Sequence, residues 1–231
     1  MVRSERQLHE YLANAPYDTL IQEFAPGQEF GVFYYRYPGE TRGHILSITQ
    51  KNLPILTGDG KQTLEHLILS DDRAVCMADF YCRKNESHLE RVPTAAENIQ
   101  LVELGTHCRG AIFLDGNHMI TPELTESIDR ISQTFPGFYF GRYDVRTPSL
   151  VDFKAGRNFK VVELNGVSSE ATDIYDPKNS LWRAYRVLFK QWRIAFEIGS
   201  ENRKRGTKPA TIWELEKLIL AYKDVSQAHG E

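Results

Sequence analysis

Two short runs hold the side chains best suited to chemistry: Arg142 and Asp144 within Gly141-Arg142-Tyr143-Asp144, and Glu163 and Asn165 within Glu163-Leu164-Asn165. Both runs have the composition of β-strands, in which successive side chains point to opposite faces. Arg142 and Asp144 therefore share a face, and so do Glu163 and Asn165. If the two strands pair, one face of the sheet displays an arginine, two carboxylates and an amide. Tyr143, Val145, Val162 and Leu164 then occupy the other. A face that polar is expensive to bury without partners for its charges. Hard oxygen donors at this density suit Mg2+, which takes one or two carboxylates together with phosphate oxygens and water. An arginine beside such an ion suits negative charge developing on a phosphoryl or acyl group. The same residue types also describe a solvated strand face in which Arg142 pairs with Asp144 or Glu163, an arrangement worth little energetically.

The elements that must position these residues follow from pattern and punctuation. The spacing of Leu8, Tyr11 and Leu12 predicts an amphipathic helix over residues 3–14. A β-rich run over 19–24 breaks at Pro26-Gly27. Strands over 29–37 and 44–49 flank the turn at Pro38-Gly39, so the three runs suggest a meander. Thr57-Gly58-Asp59-Gly60 reads as a tight loop, with Thr63 capping a helix to about residue 70. Residues 71–99 are polar and weakly periodic, consistent with a helix plus a connection. Short strands are expected over 101–103 and 111–114, and Thr121-Pro122 starts a helix that stops before Pro136-Gly137. The strands over 138–146 and 159–164 form the antiparallel pair of the site. A helix over 180–198 carries Leu181, Trp182, Tyr185, Leu188, Phe189, Trp192 and Phe196 on a broad apolar stripe, read as core. A charged linker over 203–209, including Arg203-Lys204-Arg205, leads to a last helix over 211–228. Strands and helices mix without regular βαβ alternation, which makes the class α+β, with a mostly antiparallel sheet flanked by helices.

Composition narrows the function classes. A net charge of −3 over 231 residues provides no basic field for nucleic acid or anionic lipid, so neither is expected as a partner. Cys76, Cys82 and Cys108 are an odd set without a CxxC pair, which argues against a disulfide framework or zinc knuckle and suits a reducing, cytoplasmic setting. No stretch approaches the ~20 apolar residues of a membrane span.

The segments Gly141-Arg142-Tyr143-Asp144-Val145-Arg146 and Phe159-Lys160-Val161-Val162-Glu163-Leu164-Asn165-Gly166 resemble the "GR-x-D … E-x-N" signature of ATP-grasp enzymes, in the form seen in D-alanine–D-alanine ligases and related carboxylate–amine ligases. The resemblance implies ATP and Mg2+ (with Mn2+ as a substitute), Glu163 bridging metal ions, and Asp144 and Asn165 completing their coordination. Arg142 would be the catalytic residue beside an acyl-phosphate. A second segment, from Ile21 through Gln22, Glu23, Phe24, Ala25 and Gly27 to Glu29 and Phe30, resembles the family's inter-lobe hinge, whose backbone meets adenine. Glu29 then corresponds to the carboxylate on the ribose hydroxyls. The run from Thr57 to Leu67 is similar to the "GDG-x-x-T-x-x-x-L" of cyanophycin synthetases and reads as structural; Lys61 within it is most simply a solvated loop lysine. Arg109 and the loop serines Ser168 and Ser169 fall where related ligases hold substrate. His107 and Cys108 have no assigned catalytic partner.

The resemblance implies an ATP-grasp-like C-terminal lobe: a partial domain over residues 1–200 with hinge and metal-binding lobe, then the linker and helix of 201–231. No "K-P-x-x-G-x-x-S-x-G" run is present, and no phosphate-gripping lysine is assignable from the sequence. The expectation is therefore an ADP-forming carboxylate–amine ligase represented by its C-terminal portion, either as a truncated copy or completed by a partner chain or a second copy. The alternative is an ATP-grasp remnant that binds nucleotide or a protein without catalysis.

Overall fold

The computed structural model describes residues 2–15, 19–102 and 110–228. The chain divides into two compact units, one of Met1–Phe24 with Asn202–Glu231 and one of Ala25–Glu201. In the first unit, α1 (Glu5–Ala13) starts at Ser4, whose side chain accepts from the Gln7 backbone amide. The residues expected as its following strand, 19–24, form no regular strand; Leu20 and Ile21 are exposed, and β-composition without a ladder partner makes no strand.

The second unit is built on β1 (Gln28–Tyr35), β2 (His44–Asn52), β5 (Ile112–Asp115), β6 (Phe140–Thr147) and β7 (Lys160–Asn165), once β3 (Ile55–Thr57) and β4 (Asn98–Gln100) are set aside as a separate ribbon. The sheet order is β5-β2-β1-β6-β7 and its pairings are antiparallel. The expected antiparallel pair of site strands is present as β6 and β7. Instead of a three-run meander, β1 lies between β2 and β6.

Alternation divides the sheet into two faces. Phe30, Val32 and Tyr34 of β1, Ile48 of β2, and Tyr143 and Val145 of β6 form one apolar side. It packs against Leu124 and Ile128 of α4 (Pro122–Gln133) and Phe153 of α5 (Leu150–Lys154). The buried hydroxyls on this side are partnered, Tyr143 with Ser132 at 2.9 Å and Tyr34 donating to Asp129 at 2.7 Å. A bulge between Asp144 and Val145 sets Val161, not Val162, opposite Val145.

The other face carries Phe33 and Phe140 under the inner side of α6 (Leu181–Lys204), which contributes Ile194 and Ile198 with Val187 and Ala195 partly buried. This corrects the expected core stripe. Leu181, Trp182, Tyr185, Phe189, Trp192 and Phe196 are all exposed, because the helix packs through its smaller apolar residues on the opposite side. The helix is also longer than expected and absorbs the start of the charged linker. Within the polar stretch 71–99, α3 (Ala78–Lys84) joins α2 (Leu64–Ser70) and the β3–β4 ribbon around Leu56, Ile68, Tyr81 and Leu101. The expected strand at 101–103 falls instead at 98–100, and residue 103 lies outside the described residues. The last helix, α7 (Ile212–Ala228), begins with a capping box in which Thr211 and Glu214 exchange hydrogen bonds.

Candidate functional site

The register assembles the site. Across β6 and β7, Arg142 faces Asn165 and Asp144 faces Glu163; across β1 and β6, Glu29 faces Arg146 and Gly31 faces Asp144. On the far side of β1, Glu29 faces Lys51 and Gly31 faces Thr49. Cross-strand partners share a face. A continuous polar area therefore runs over four strands, made by Lys51, Glu29, Arg146, Asp144, Arg142, Glu163 and Asn165.

Its centre is Lys51, whose ammonium lies 2.8 Å from Glu29 and 2.9 Å from Asp144. The side chains of Lys51 and Asp144 are only 6% and 4% exposed, so this is a buried ion pair and not a solvated one. Arg142 completes the neutralisation of Asp144, with Nε 3.1 Å from Oδ1, and donates from a terminal nitrogen to the Glu170 carbonyl at 3.2 Å. Arg146 lies 3.8 Å from Glu29. Three cations thus stand among buried Asp144, half-buried Glu29 and exposed Glu163, so the face is close to charge-balanced, with its strongest pairs in a low-dielectric setting. Asn165 reaches toward Asp144 with its amide nitrogen at 3.5 Å, and Glu163 lies exposed on the edge strand.

Gly31 leaves room for this arrangement. A Cβ there would lie 3.1 Å from Arg142 Cδ and 3.4 Å from Asp144 Oδ1, crowding the pair from below. Gly27 matters for a different reason: its φ is +105°, and a Cβ would sit 2.1 Å from the Thr147 carbonyl oxygen, so the Pro26-Gly27 turn that launches β1 admits no side chain.

The loop after Asn165 is fastened over this face by α6. Gln191 is fully buried, accepts from the Ala171 amide at 2.8 Å and donates to the Ser169 carbonyl at 3.0 Å. Thr172 donates to Thr49 of β2 at 2.9 Å. Asp173 accepts from Asn117 at 3.0 Å and lies 3.6 Å from Arg183, which also pairs with Asp115. Burial pushes the Asp173 carboxyl above its usual range, against the lowering effect of the Asn117 bond.

Of the residues expected at a site, Arg142, Asp144, Glu163, Asn165 and Glu29 converge on this face. Ser169 turns its hydroxyl onto the Gly166 carbonyl at 2.6 Å, within its own loop, and Ser168 is exposed. Gln22, Glu23 and Phe24 are part of the first unit and join no regular element, whereas Ala25 opens the second and is buried. Arg109, His107 and Cys108 lie outside the described residues. Lys51 escaped the sequence reading because the strand was ended at Thr49. Continuing the alternation Ser47, Thr49, Lys51 would have placed it on the Thr49 face.

Among the described residues, no group of three or more His, Cys, Asp and Glu side chains stands ready to hold a metal ion unaided. Asp144, Glu163 and Asn165 are two carboxylates and an amide, residue types that Mg2+ takes together with phosphate and water; as placed, the Asp144 oxygens face Arg142 and Lys51 and Asn165 turns its amide nitrogen toward them, so holding the ion would require these side chains to exchange partners.

No family model matches the chain, and no curated protein matches it. Among solved structures, the chain is similar to a bifunctional glutathione synthetase from Pasteurella multocida, with a TM-score of 0.47 and 14% sequence identity over 74% of this chain and 24% of that one. The chain thus spans about a quarter of that protein's length.

Proposed function

We propose that this chain carries the metal- and nucleotide-binding face of an ATP- and Mg2+-dependent carboxylate–amine ligase of the ATP-grasp type, working through an acyl-phosphate. The observation that carries the reading is the buried Lys51–Glu29–Asp144–Arg142 array beside Glu163 and Asn165, formed by the strands that bear the ATP-grasp-like motifs. Mg2+ held by Asp144, Glu163 and Asn165 would supply positive charge opposite the β- and γ-phosphates, and Mn2+ would substitute for it. Glu29, as the ribose-side carboxylate, would have its orientation set by Lys51 and Arg146.

The chain's own residues then have distinct tasks. Lys51 is anchored by two carboxylates and would meet phosphate oxygens as a fixed point charge, in the absence of a glycine-rich lysine motif in the chain. Arg142 is held in orientation by Asp144 and the Glu170 carbonyl, so its remaining nitrogens are preorganised for the oxyanion of the acyl-phosphate and of the tetrahedral adduct. The loop 166–173, pinned by Gln191, shapes the side from which the amine approaches and limits access of water that would hydrolyse the intermediate. The phosphate cover would come from outside these elements, whether from a further part of the protein, a partner chain or a second copy.

Thermal melts with and without Mg·ADP test the reading. At 100 times its dissociation constant the ligand adds about 2.7 kcal/mol of stability. The shift is expected to require Mg2+ and to vanish in Glu163→Ala. ADP release stimulated by an amine acceptor supports the ligase, whereas nucleotide binding without turnover in the presence of acids and amines supports the non-catalytic alternative. Absence of any Mg-dependent shift overturns the ligase and the nucleotide-binding remnant, and leaves only a remnant that binds a protein.

A further inference from the structure

The outer side of α6 has no role in the site, yet it is the most unusual surface of the second unit. Trp182, Tyr185, Phe189, Trp192 and Phe196 recur at alternating steps of three and four residues, so they form a single line, about 21 Å long at the helical rise. Each is between 49% and 81% exposed. With about 150–250 Å² for an aromatic side chain, the line presents on the order of 650 Å² of apolar surface, above the largest patches of ordinary monomers. One residue further along the helix, Arg183, Arg186, Lys190 and Arg193 repeat the same steps; Arg183 is drawn to Asp115 and Asp173 and Arg193 pairs with Glu197, which leaves Arg186 and Lys190 as the cations beside the aromatic line. Arg186 and Lys190 make no ion pair among the described residues. The helix as a whole carries six Lys and Arg against two Glu, inside a chain of net charge −3.

We propose that this face of α6 docks on an anionic lipid surface, with the aromatic line entering the headgroup–acyl boundary and the cations beside it pairing with the headgroups. Charge complementarity selects this occupant. A second copy packed antiparallel on the same line would set like charges together, since a contact centred on Phe189 brings Arg186 of one copy near Arg193 of the other. An aromatic line flanked by Arg and Lys on a helix has the composition of a segment that lies in a membrane interface. The opposite side of α6 is fastened to the sheet through Gln191, Ile194 and Ile198, so the helix presents a rigid line that need not fold on binding. No helix among the described residues is long and apolar enough to cross a membrane, so the association is peripheral. The expectation of no membrane partner rested on whole-chain charge, which averages this line away.

The test is co-sedimentation of the full chain with vesicles of 30:70 phosphatidylglycerol–phosphatidylcholine and of phosphatidylcholine alone. Binding to the anionic vesicles is expected, weakened about tenfold or more in neutral vesicles and in R186E/K190E, since each basic residue near the surface contributes about fivefold. F189S/W192S is expected to bind neither, and because both side chains are exposed its circular dichroism and melting are expected to match the parent. In W213F, brominated lipid should quench the two remaining tryptophans, Trp182 and Trp192. Equal binding to both vesicle types, binding unchanged in F189S/W192S, or no binding to either overturns the proposal. So does a dimer in sedimentation velocity that F189S/W192S dissociates, which makes a second copy the occupant.

Discussion

At the scale of single residues, Lys51 decides the character of the site. Its ammonium is shared by two carboxylates that have little water to turn to, so its loss leaves Glu29 and Asp144 facing each other. Breaking a buried pair costs about 3–5 kcal/mol. Arg142 and Arg146 remain in place, so Lys51→Ala is expected near the lower end, about 3 kcal/mol in urea unfolding; a loss below about 1 kcal/mol, the worth of a surface pair, would contradict the buried-array description. Asp173 makes a second prediction, this one in pH. Its carboxyl is raised above the ordinary 3.8, so the folded chain keeps the proton over a window where the unfolded chain has released it. The associated stability is complete below the ordinary value and is lost as pH rises through the folded value. Asp173→Asn removes this dependence, so urea midpoints followed from about pH 4 to 7 should fall less in the variant than in the parent. Equal slopes would mean that Asp173 is not buried as described.

At the scale of elements, α6 serves the sheet in a way its composition conceals. Gln191 is a wholly buried polar residue on its inner side, and both ends of its amide are committed to the backbone of the loop that follows β7. Gln191→Leu preserves volume approximately but strands the Ala171 amide and the Ser169 carbonyl, each at about 1–3 kcal/mol. Calorimetry should register the lower melting temperature. Hydrogen exchange should show faster exchange at residues 169–173, with the β1–β6 pairing unchanged. Exchange that rises uniformly would indicate general destabilisation and remove the assigned positioning role. The β6–β7 hairpin is an element whose register is specified twice, by the apolar side with Tyr143 and Val145 and by the polar side with Asp144 and Arg142. A one-residue slip would exchange the two sides completely.

At the scale of the whole molecule, the three buried clusters all lie between residues 25 and 201. The described side chains of α7, from Ile212 to Ala221, are exposed. Ending the chain after Lys204 should therefore change stability by less than about 1 kcal/mol and move the melting temperature by less than about 4 °C. A larger drop would show that the C-terminal helix shares in the folded core. The same partition confines Asp144, Glu163, Asn165, Arg142, Lys51 and Glu29 to one unit, so Mg-dependent nucleotide stabilisation, if the proposed function holds, should survive that truncation.

The sequence by itself determined what is local and periodic. Alternation put Arg142 with Asp144 and Glu163 with Asn165 on one side of their strands, and cap and turn residues placed α2 at Thr63, α4 at Thr121-Pro122 and β1 after Pro26-Gly27. Those signals act within a few residues and need no knowledge of what lies across the sheet. Only the tertiary structure decided the rest. Lys51 is far from Asp144 along the chain, and nothing local to either shows that β1 will lie between their strands. Residues 19–24 have strand composition, but a strand exists only if an edge is available to pair with it. The long helix is apolar on two sides, and periodicity reports a stripe without saying which stripe faces inward. The sheet accepted Val187, Gln191, Ile194 and Ile198 because small and polar groups fit over Phe33, Phe140 and the loop backbone, and the larger aromatics were left on the surface.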